Sequence, residues 1–461
     1  MTTDCQFRLN RACVALRDTD PTESLLRWLK RQRLAGTKEG CADGDCGACT
    51  VALLETDAEG KPHYQAINSC LLPMGALPGR NVFTVEALAA DETCLHPVQQ
   101  ALVDCAGSQC GYCTPGFVMS LFAGYYGGEL DDTTTEGNLC RCTGYRPIRA
   151  ATQQLAALAP ATDDFHAELA QATRPGSAAL GRYFSPATLD EALALRTQHA
   201  DAVWIGGGTD LGVALSHGKR VAPAFIALDR IAELQQLHIA ADTVRIGAGV
   251  ALSVLETRLA GLFPALDQML PWFAARQVRN RATLGGNLGT ASPIGDLLPL
   301  LLALEATVHL RGAQGARDVA IGDYFLDYRK TARQPDELIC AVTLPRRANT
   351  LTAAYKVAKR QTDDISIVAA VFALELDAQG TVRHARLAYG GVDAIPRRAR
   401  RVEDLLQGKL LDDALLGQAL ALLRGEFQPL SDHRAGAGYR RALCANLFAK
   451  FIAEHLPGAA P

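Results

Sequence analysis

The chain has 461 residues, enough for two to four domains of the usual ~100–200 residues. Its 48% hydrophobic and 21% charged content excludes a disordered chain, and a net charge of −3 gives no reason to expect nucleic acid, an anionic membrane or an acidic substrate. No apolar run reaches the roughly 18 residues of a membrane span, and Met1-Thr2-Thr3-Asp4-Cys5 has no basic stretch ahead of an apolar core, so a cytoplasmic protein is expected.

Residues 5–16 alternate weakly and read as a strand. Asp20-Pro21-Thr22-Glu23 has the form of a helix start, and Leu25, Leu26 and Leu29 give that helix an apolar face. A glycine-rich loop, Gly40 to Cys49, follows. Thr50–Leu54 and His63–Ile67 flank a turn with Gly60 and Pro62 and predict a hairpin ending near Cys70. Residues 1–88 therefore make one α+β domain. Residues 89–158 are predicted helical, because His96-Pro97, Thr114-Pro115 and Arg146-Pro147 place proline where its missing N–H costs nothing. Residues 159–180, with Pro160, Asp163-Asp164 and Pro175-Gly176, read as a linker. From Tyr183 α and β signals alternate: helix 187–199, strand Ala202–Ile205, a glycine loop, a helix, strand Ala224–Leu228. A mixed α+β segment follows Pro345.

Fourteen cysteines need a reason. A reducing cytosol disfavours disulfides, so clustered cysteines point to metal. Cys5, Cys13, Cys94, Cys105, Cys340 and Cys444 are scattered and read as small buried hydrophobes. Cys41-x4-Cys46-x2-Cys49 with Cys70 beyond the hairpin has the plant-type [2Fe–2S] ferredoxin spacing. Gly40, Gly44 and Gly47 let the loop wrap its thiolates and aim amides at sulfur. Zinc, which prefers paired C-x2-C knuckles, is the lesser alternative. The second group, Cys110-x2-Cys113 and Cys140-x-Cys142, lies beside predicted helix starts that would favour an anionic cluster; from spacing alone it suits iron–sulfur or zinc.

The runs Gly107-Ser108-Gln109-Cys110-Gly111-Tyr112-Cys113-Thr114-Pro115-Gly116-Phe117 and Gly137-Asn138-Leu139-Cys140-Arg141-Cys142-Thr143-Gly144-Tyr145-Arg146-Pro147 resemble the helical iron–sulfur domain of molybdenum hydroxylases. The resemblance implies a four-helix [2Fe–2S] domain with Cys110, Cys113, Cys140 and Cys142 as ligands, behind a plant-type ferredoxin β-grasp domain. It places Gln109 near a molybdopterin held by a partner, although a polar loop residue explains Gln109 equally simply.

Trp204-Ile205-Gly206-Gly207-Gly208-Thr209-Asp210-Leu211 follows an apolar strand, and stacked glycines let amides reach a pyrophosphate. It is not a G-x-G-x-x-G fingerprint, and alone it serves as well for a sharp turn. Thr283-Leu284-Gly285-Gly286-Asn287 repeats the chemistry, and two such loops favour a dinucleotide cradle. Both runs resemble the FAD domain of xanthine dehydrogenases, of the vanillyl-alcohol-oxidase type. That resemblance implies a FAD-binding domain over 181–346 and a C-terminal α+β flavoprotein domain over 347–461. It adds FAD contacts at Phe273, Asp296, Ile339 and Lys356; a core Phe and a solvated strand lysine are the plainer readings of Phe273 and Lys356. Thr362-Asp363-Asp364 lies where the family has an acid near the flavin, but an exposed turn explains two acids. Arg397-Arg398-Ala399-Arg400-Arg401 reads as a solvated helix face.

The resemblance covers residues from about 5 to 455. Ala42 replaces a glycine common in the first cluster loop, and Asp45 adds a charge there. The expected chain is a multidomain α+β carrier of two [2Fe–2S] clusters and FAD, with no catalytic residue of its own. It is expected to pass electrons from molybdopterin on a large partner subunit to NAD, in a dimer of heterodimers. The fusion of iron–sulfur and FAD modules on one chain implies hypoxanthine and xanthine oxidation to urate. Another purine or aldehyde hydroxylase, or a stand-alone electron-transfer flavoprotein, remains open.

Overall fold

The computed structural model describes residues 5–89, 94–128, 130–219, 221–360 and 362–456; Met1 to Asp4 of the N-terminal reading lie outside the described residues. The chain divides into two compact units, Met1–Gln235 with Ala274–Ala282, and Gln236–Phe273 with Thr283–Pro461.

The first unit opens with a hairpin, β1 (Gln6–Leu9) and β2 (Ala12–Ala15), where a single strand was expected. Asn10 and Arg11 adopt φ of 49° and 73°, the left-handed pair of a two-residue turn, and Leu9 faces Ala12 across it. Helix α1 (Leu25–Arg31) begins later than the Asp20-Pro21 signal. Asp20 instead accepts from Thr22 N in a turn, and Ser24 caps α1 by accepting from Arg27 N. Strands β3 (Thr50–Thr56), β4 (Pro62–Asn68) and β5 (Asn81–Phe83) complete a sheet in the order β2-β1-β5-β3-β4, with β1 and β5 parallel and the other pairs antiparallel. Leu25, Trp28 and Leu29 of α1 share a buried core with Phe7, Leu53 and Val82 of this sheet.

Helices α2 (Pro97–Asp104), α3 (Thr114–Gly127) and α4 (Arg146–Ala156) begin at the three proline signals. A fourth, α5 (Asp164–Leu169), lies inside the stretch 159–180 that was expected to be a linker. Asp163 caps it by accepting from His166 N, and Phe165 packs its buried ring against Phe83, Phe122 and His96. One aromatic anchor on a short helix leaves no apolar period to read.

A second sheet follows, β6 (Ala178–Leu180), β7 (Tyr183–Ser185), β8 (Ala202–Ile205) and β9 (Ala224–Ala227), ordered β6-β7-β9-β8, with helices α6 (Leu189–Gln198) and α7 (Leu211–Ser216). Tyr183, Ile205 and Phe225 join the same core as Phe7 and Leu25. The segment 274–282 docks on β4: Asn280 Nδ2 donates to Ala66 O (2.8 Å), and Gln65 Nε2 donates to Asn280 O (3.1 Å).

The second unit holds an antiparallel sheet ordered Leu237–Ile239, Thr243–Gly247, Leu338–Pro345, Thr307–Gly312, Gly315–Ala320. Helix Leu297–Ala303 is apolar on every side and wholly buried. A four-stranded antiparallel sheet, Leu351–Val357, Val368–Leu376, Val382–Gly390 and Arg397–Arg398, shares its core with helices Arg400–Leu406, Asp413–Leu423 and Ala437–His455 through residues such as Phe372, Tyr389, Phe448 and Phe451. The arginine cluster is in part the solvated helix face expected, since Arg400 and Arg401 open a helix and are exposed, but Arg398 is half-buried on a strand. It divides between that last strand and a helix start, with Arg397 paired to Asp393, Arg398 to Glu403 and Arg401 to Glu426. Of the six scattered cysteines only Cys444 is buried; Cys13 and Cys94 are exposed, against expectation. Cys13 sits on β2, the edge of its sheet, where alternation turns every second side chain away from the core. Among the described residues no helix is long and apolar enough to cross a membrane.

Two expected outcomes follow from this framework. Ala42 holds φ +60°, where a Cβ costs about 1 kcal/mol relative to glycine, so Ala42→Gly is expected to raise the thermal midpoint by about 2 °C; a lowered midpoint would contradict it. His96 caps α2 through Nδ1, which accepts from Val98 N, and its Nε2 meets Tyr126 OH, which in turn donates to Asp163. Burial pushes its pKa down from 6.5 to about 4, with Asp163 opposing. Above about pH 6.5 the imidazole is neutral folded or unfolded and adds no pH dependence. Below it the unfolded chain takes a proton that the folded domain refuses, so stability falls with pH towards 4. Between pH 7 and 5 the α2 amides should lose about 2 kcal/mol of hydrogen-exchange protection, and His96→Asn, which keeps a capping oxygen, should lose less. Equal losses in both proteins would refute the assignment.

Candidate functional site

The first cysteine loop turns on left-handed residues, Gly44 at φ +92° and Gly47 at +64°. It brings sulfur atoms together in twos. Cys41 Sγ accepts from the amides of Asp43 (3.4 Å) and Cys46 (3.3 Å), and Cys46 Sγ accepts from Cys41 N (3.3 Å). A hydrogen bond from the Cys46 thiol, helped by those amides, holds Cys41 down to about 5, while the same bond pushes Cys46 up. Cys49 and Cys70 repeat the pattern out of solvent: the Cys70 thiol lowers Cys49, and that bond, with burial, raises Cys70.

The second quartet pairs likewise. Cys110 is lowered by the Tyr112 amide and by Cys142, and Cys142 is raised by Cys110. Cys113 is pushed up to about 12 by burial and by Cys140. Burial works against Cys140, yet the Thr143 hydroxyl and amide hold it down. Cys110 and Cys142 are exposed, Cys113 half-buried and Cys140 buried. Cys113 directly precedes α3, and Cys140 and Cys142 lie just ahead of α4, so helix N-termini flank the group.

The two loops are tied together. Leu139 N donates to Cys46 O (3.0 Å). Asn138 Nδ2 donates to Gly47 O (2.9 Å), and Asn138 Oδ1 accepts from Ser120 Oγ (2.7 Å) and Gln277 Nε2 (3.1 Å). Neither Asn138 nor Gln277 was singled out from sequence. Asn138 stood in plain sight within the resembling run; Gln277 carried no signal, since only the fold brings it there.

The donor sets meet the demands of a cluster. Four thiols in two pairs offer each iron of a [2Fe–2S] unit two ligands. A Cβ at Gly40 would sit 2.6 Å from Cys46 Sγ, so the loop is already closed around its sulfurs. Among the described residues no three His, Cys, Asp or Glu side chains form a group suited to one metal ion.

The glycine runs are placed separately. In the first unit, Trp204 and Ile205 end β8 and Gly206-Gly207-Gly208 leads through Thr209 and exposed Asp210 into α7 at Leu211. Gly208 takes φ +80° and its carbonyl accepts from Gly212 N (2.6 Å). A Cβ at Gly207 would collide with the Arg281 carbonyl, so only glycine fits. In the second unit, Thr283 Oγ1 caps helix Leu284–Thr290 by accepting from Gly286 N (2.9 Å), and Gly285 N donates to Ala248 O (3.0 Å). Asn287 Oδ1 is buried without a hydrogen-bond partner among the described residues, as expected of a group that waits for a ligand. The unit also gathers Asp296 and Lys356 into one buried cluster. Lys356 Nζ donates to Asp296 Oδ2 (2.7 Å) and Trp272 O (2.8 Å), and Ser366, which sequence reasoning missed, donates to Asp296 Oδ1 (2.5 Å). Lys356 is thus no solvated lysine. Ile339 is buried beside Gly289, Phe273 is half-buried next to Trp272, and in the first unit Gln109 is exposed. Thr362, Asp363 and Asp364 are half-buried, not the exposed turn expected, and Asp364 accepts from Arg360 N and Ile365 N.

Four family models match the chain in order: a 2Fe–2S iron–sulfur cluster binding domain (9–75), a [2Fe–2S] binding domain (84–153), the FAD binding domain in molybdopterin dehydrogenase (177–347) and the CO dehydrogenase flavoprotein C-terminal domain (353–455). A xanthine dehydrogenase of Emericella nidulans is 32% identical over 98% of this chain and 38% of its own length, and one of Drosophila subobscura 33% identical over 96% and 38%. The chain thus spans about two fifths of the curated relatives it matches. Among solved structures, quinoline 2-oxidoreductase from Pseudomonas putida 86 aligns at a TM-score of 0.56 with 27% identity, covering 62% of this chain and 100% of that one. The Cu,Mo-CO dehydrogenase aligns at 0.54 with 29% identity, covering 57% and 93%. With two 2Fe–2S domains, a FAD-binding domain and a C-terminal flavoprotein domain in this order, the chain belongs to the molybdenum hydroxylase family and carries its iron–sulfur and FAD domains.

Proposed function

We propose that this chain is the iron–sulfur and flavin electron-transfer subunit of a xanthine dehydrogenase. It serves a large molybdopterin-holding partner that oxidises hypoxanthine and xanthine, and it delivers the electrons to NAD. The observation that carries the reading is the convergence of two thiol quartets whose loops are joined by the bond from Leu139 N to Cys46 O. Bound clusters supply one-electron steps, and bound flavin joins these to a two-electron transfer. Cys41, Cys46, Cys49 and Cys70 hold the first cluster, and Cys110, Cys113, Cys140 and Cys142 the second. The amides of Asp43 and Cys46 stabilise charge on Cys41. Trp204 to Leu211 in the first unit, and Phe273, Thr283 to Asn287, Asp296, Ile339 and Lys356 in the second, are the residues that would contact FAD, and the buried Asn287 Oδ1 would accept a donor from it. The proposed division is 1–88, 89–158, a connecting stretch 159–180 that carries α5, 181–346 and 347–461, in a cytoplasmic dimer of heterodimers.

A second reading keeps the carrier and changes the partner's substrate. The solved neighbours favour it, since they are a carbon monoxide dehydrogenase and a quinoline 2-oxidoreductase. The test is co-expression with the molybdenum subunit, iron and flavin analysis, and assay of xanthine with NAD. Urate formation coupled to NADH supports the first reading; a fully loaded complex inert to xanthine overturns it. Cys46→Ser is expected to abolish one of the two reduced-cluster paramagnetic signals and Cys142→Ser the other; retention of both signals in both variants would sink the ligand assignment. Asp45→Asn, which removes a negative charge from the first loop, should raise that cluster's potential by on the order of tens of millivolts in a redox titration, and a fall would contradict it.

A further inference from the structure

We infer that helix α7 is the spacer that seats the flavin-binding loop against the first cluster, and that Gly212 sets the distance between them. The inference deepens the proposed function and rests on its assignment of Trp204 to Leu211 to FAD and of Cys49 and Cys70 to the first cluster. All the residues involved lie in the first unit.

Three contacts place α7 on the cluster loop. Gly212, the second residue of the helix, lies so close to the Leu71 carbonyl that an added Cβ would overlap its oxygen and sit 3.1 Å from the Leu71 C and Cα atoms. These are backbone atoms, so no rotamer change relieves the clash, and Leu71 is covalently joined to Cys70. Val213 packs on the buried group of Leu26, Cys49, Cys70 and Leu71. At the far end of the helix, His217 Nε2 meets Asp43 Oδ1 at 2.5 Å, and Asp43 lies inside the loop between Cys41 and Cys46. The other side of the spacer is equally short. Gly212 N donates to Gly208 O (2.6 Å), so the residue that touches Leu71 is also the one that ties off the glycine run. Leu71 cannot drift away, because Leu25 N donates to Leu72 O (2.8 Å) and Leu26 N to Ser69 O (3.1 Å), which holds the Cys70 segment to α1.

One continuous chain of contacts therefore runs from Gly208 through Gly212 and Leu71 to Cys70. Gly212 has helical geometry without a positive φ, so the backbone conformation does not call for glycine there; the approach of Leu71 does. Gly212 is a positioning residue for both cofactors at once.

The test uses Gly212→Ala in the full complex with its partner. Iron and flavin content of the wild type comes first: a wild type lacking either overturns the underlying function, not this inference. With a loaded wild type, Gly212→Ala is expected to shift the paramagnetic spectrum and potential of the first cluster and leave those of the second unchanged. It should also slow stopped-flow reduction of the first cluster by NADH several-fold. Unaltered first-cluster spectrum, potential and rate overturn the inference. Equal shifts in both clusters also overturn it, because they signal general loosening. Should Gly212→Ala fail to fold, Val213→Ala replaces it: it opens packing without a clash, and the same selective change in the first cluster, or its absence, decides.

Discussion

The Gly47 carbonyl, buried between two cysteine loops, is the point on which the iron–sulfur half is hung. It accepts from Thr50 Oγ1 (2.6 Å) and from Asn138 Nδ2 (2.9 Å). Gly116 packs so closely against it that a Cβ has no room there, and a Cβ at Gly137 would collide with Gln277. Asn138 spends its other face on Ser120 and Gln277, and Gln277 also donates to Thr50 (3.3 Å). A buried amide deprived of its partner loses about 1–3 kcal/mol, so this group holds as a unit or fails as one. Its consequence is geometric: with the backbone bond from Leu139 N to Cys46 O, the Asn138 side chain fixes the Cys46 loop relative to the Cys140 loop.

A second knot, of charge, binds the ferredoxin-like sheet to the following α/β segment of the same unit. Arg80, almost wholly buried, pairs with Glu55 and Asp229, and Arg281 joins Asp229 at 3.0 Å. Those two arginines hold the Asp229 carboxylate below its ordinary range against burial. Arg230 satisfies the carbonyls of Gly176, Ala76 and Pro78. Buried ion pairs add little net stability over apolar packing, but removing one member strands the others and costs about 3–5 kcal/mol. The segment 274–282 takes part in both knots, through Gln277 in one and Arg281 in the other. That explains why so short a stretch sits with the first unit although the chain on either side of it does not.

What could be read without coordinates followed the strength of the local signal. Cysteine spacing and proline at helix starts are covalent or steric constraints, and they marked both thiol quartets and α2, α3 and α4. The 5–16 stretch failed because Asn10-Arg11 is a weak turn dipeptide beside Asn-Gly, so a hairpin looked like one strand. α5 failed because its stability comes from one ring, Phe165, in a tertiary aromatic cluster. Lys356 and Asp296 were expected by resemblance as separate contacts, whereas their pairing with each other and with Ser366 needs a strand, a helix start and a loop far apart in sequence to meet. Asn138, Gln277 and Gly212 share that reason: each is defined by a neighbour that only folding supplies.

The two quartets differ in a way their equal ligand chemistry conceals. Cys49 and Cys70 are buried under α7 and α1, whereas Cys110 and Cys142 are exposed, as are their sequence neighbours Tyr112, Leu139 and Tyr145. Exposure leaves the Cys110 and Cys142 thiols open to water. Exposure also raises the local dielectric, which weakens every charge interaction with a cluster, while burial strengthens it. In the proposed function the two environments divide the labour. The first quartet takes its surroundings from this chain alone, through α1, α7 and its own amides. The second has its helix N-termini from this chain, but two of its thiols, Cys110 and Cys142, stay exposed, so solvent screens the charges around it more strongly.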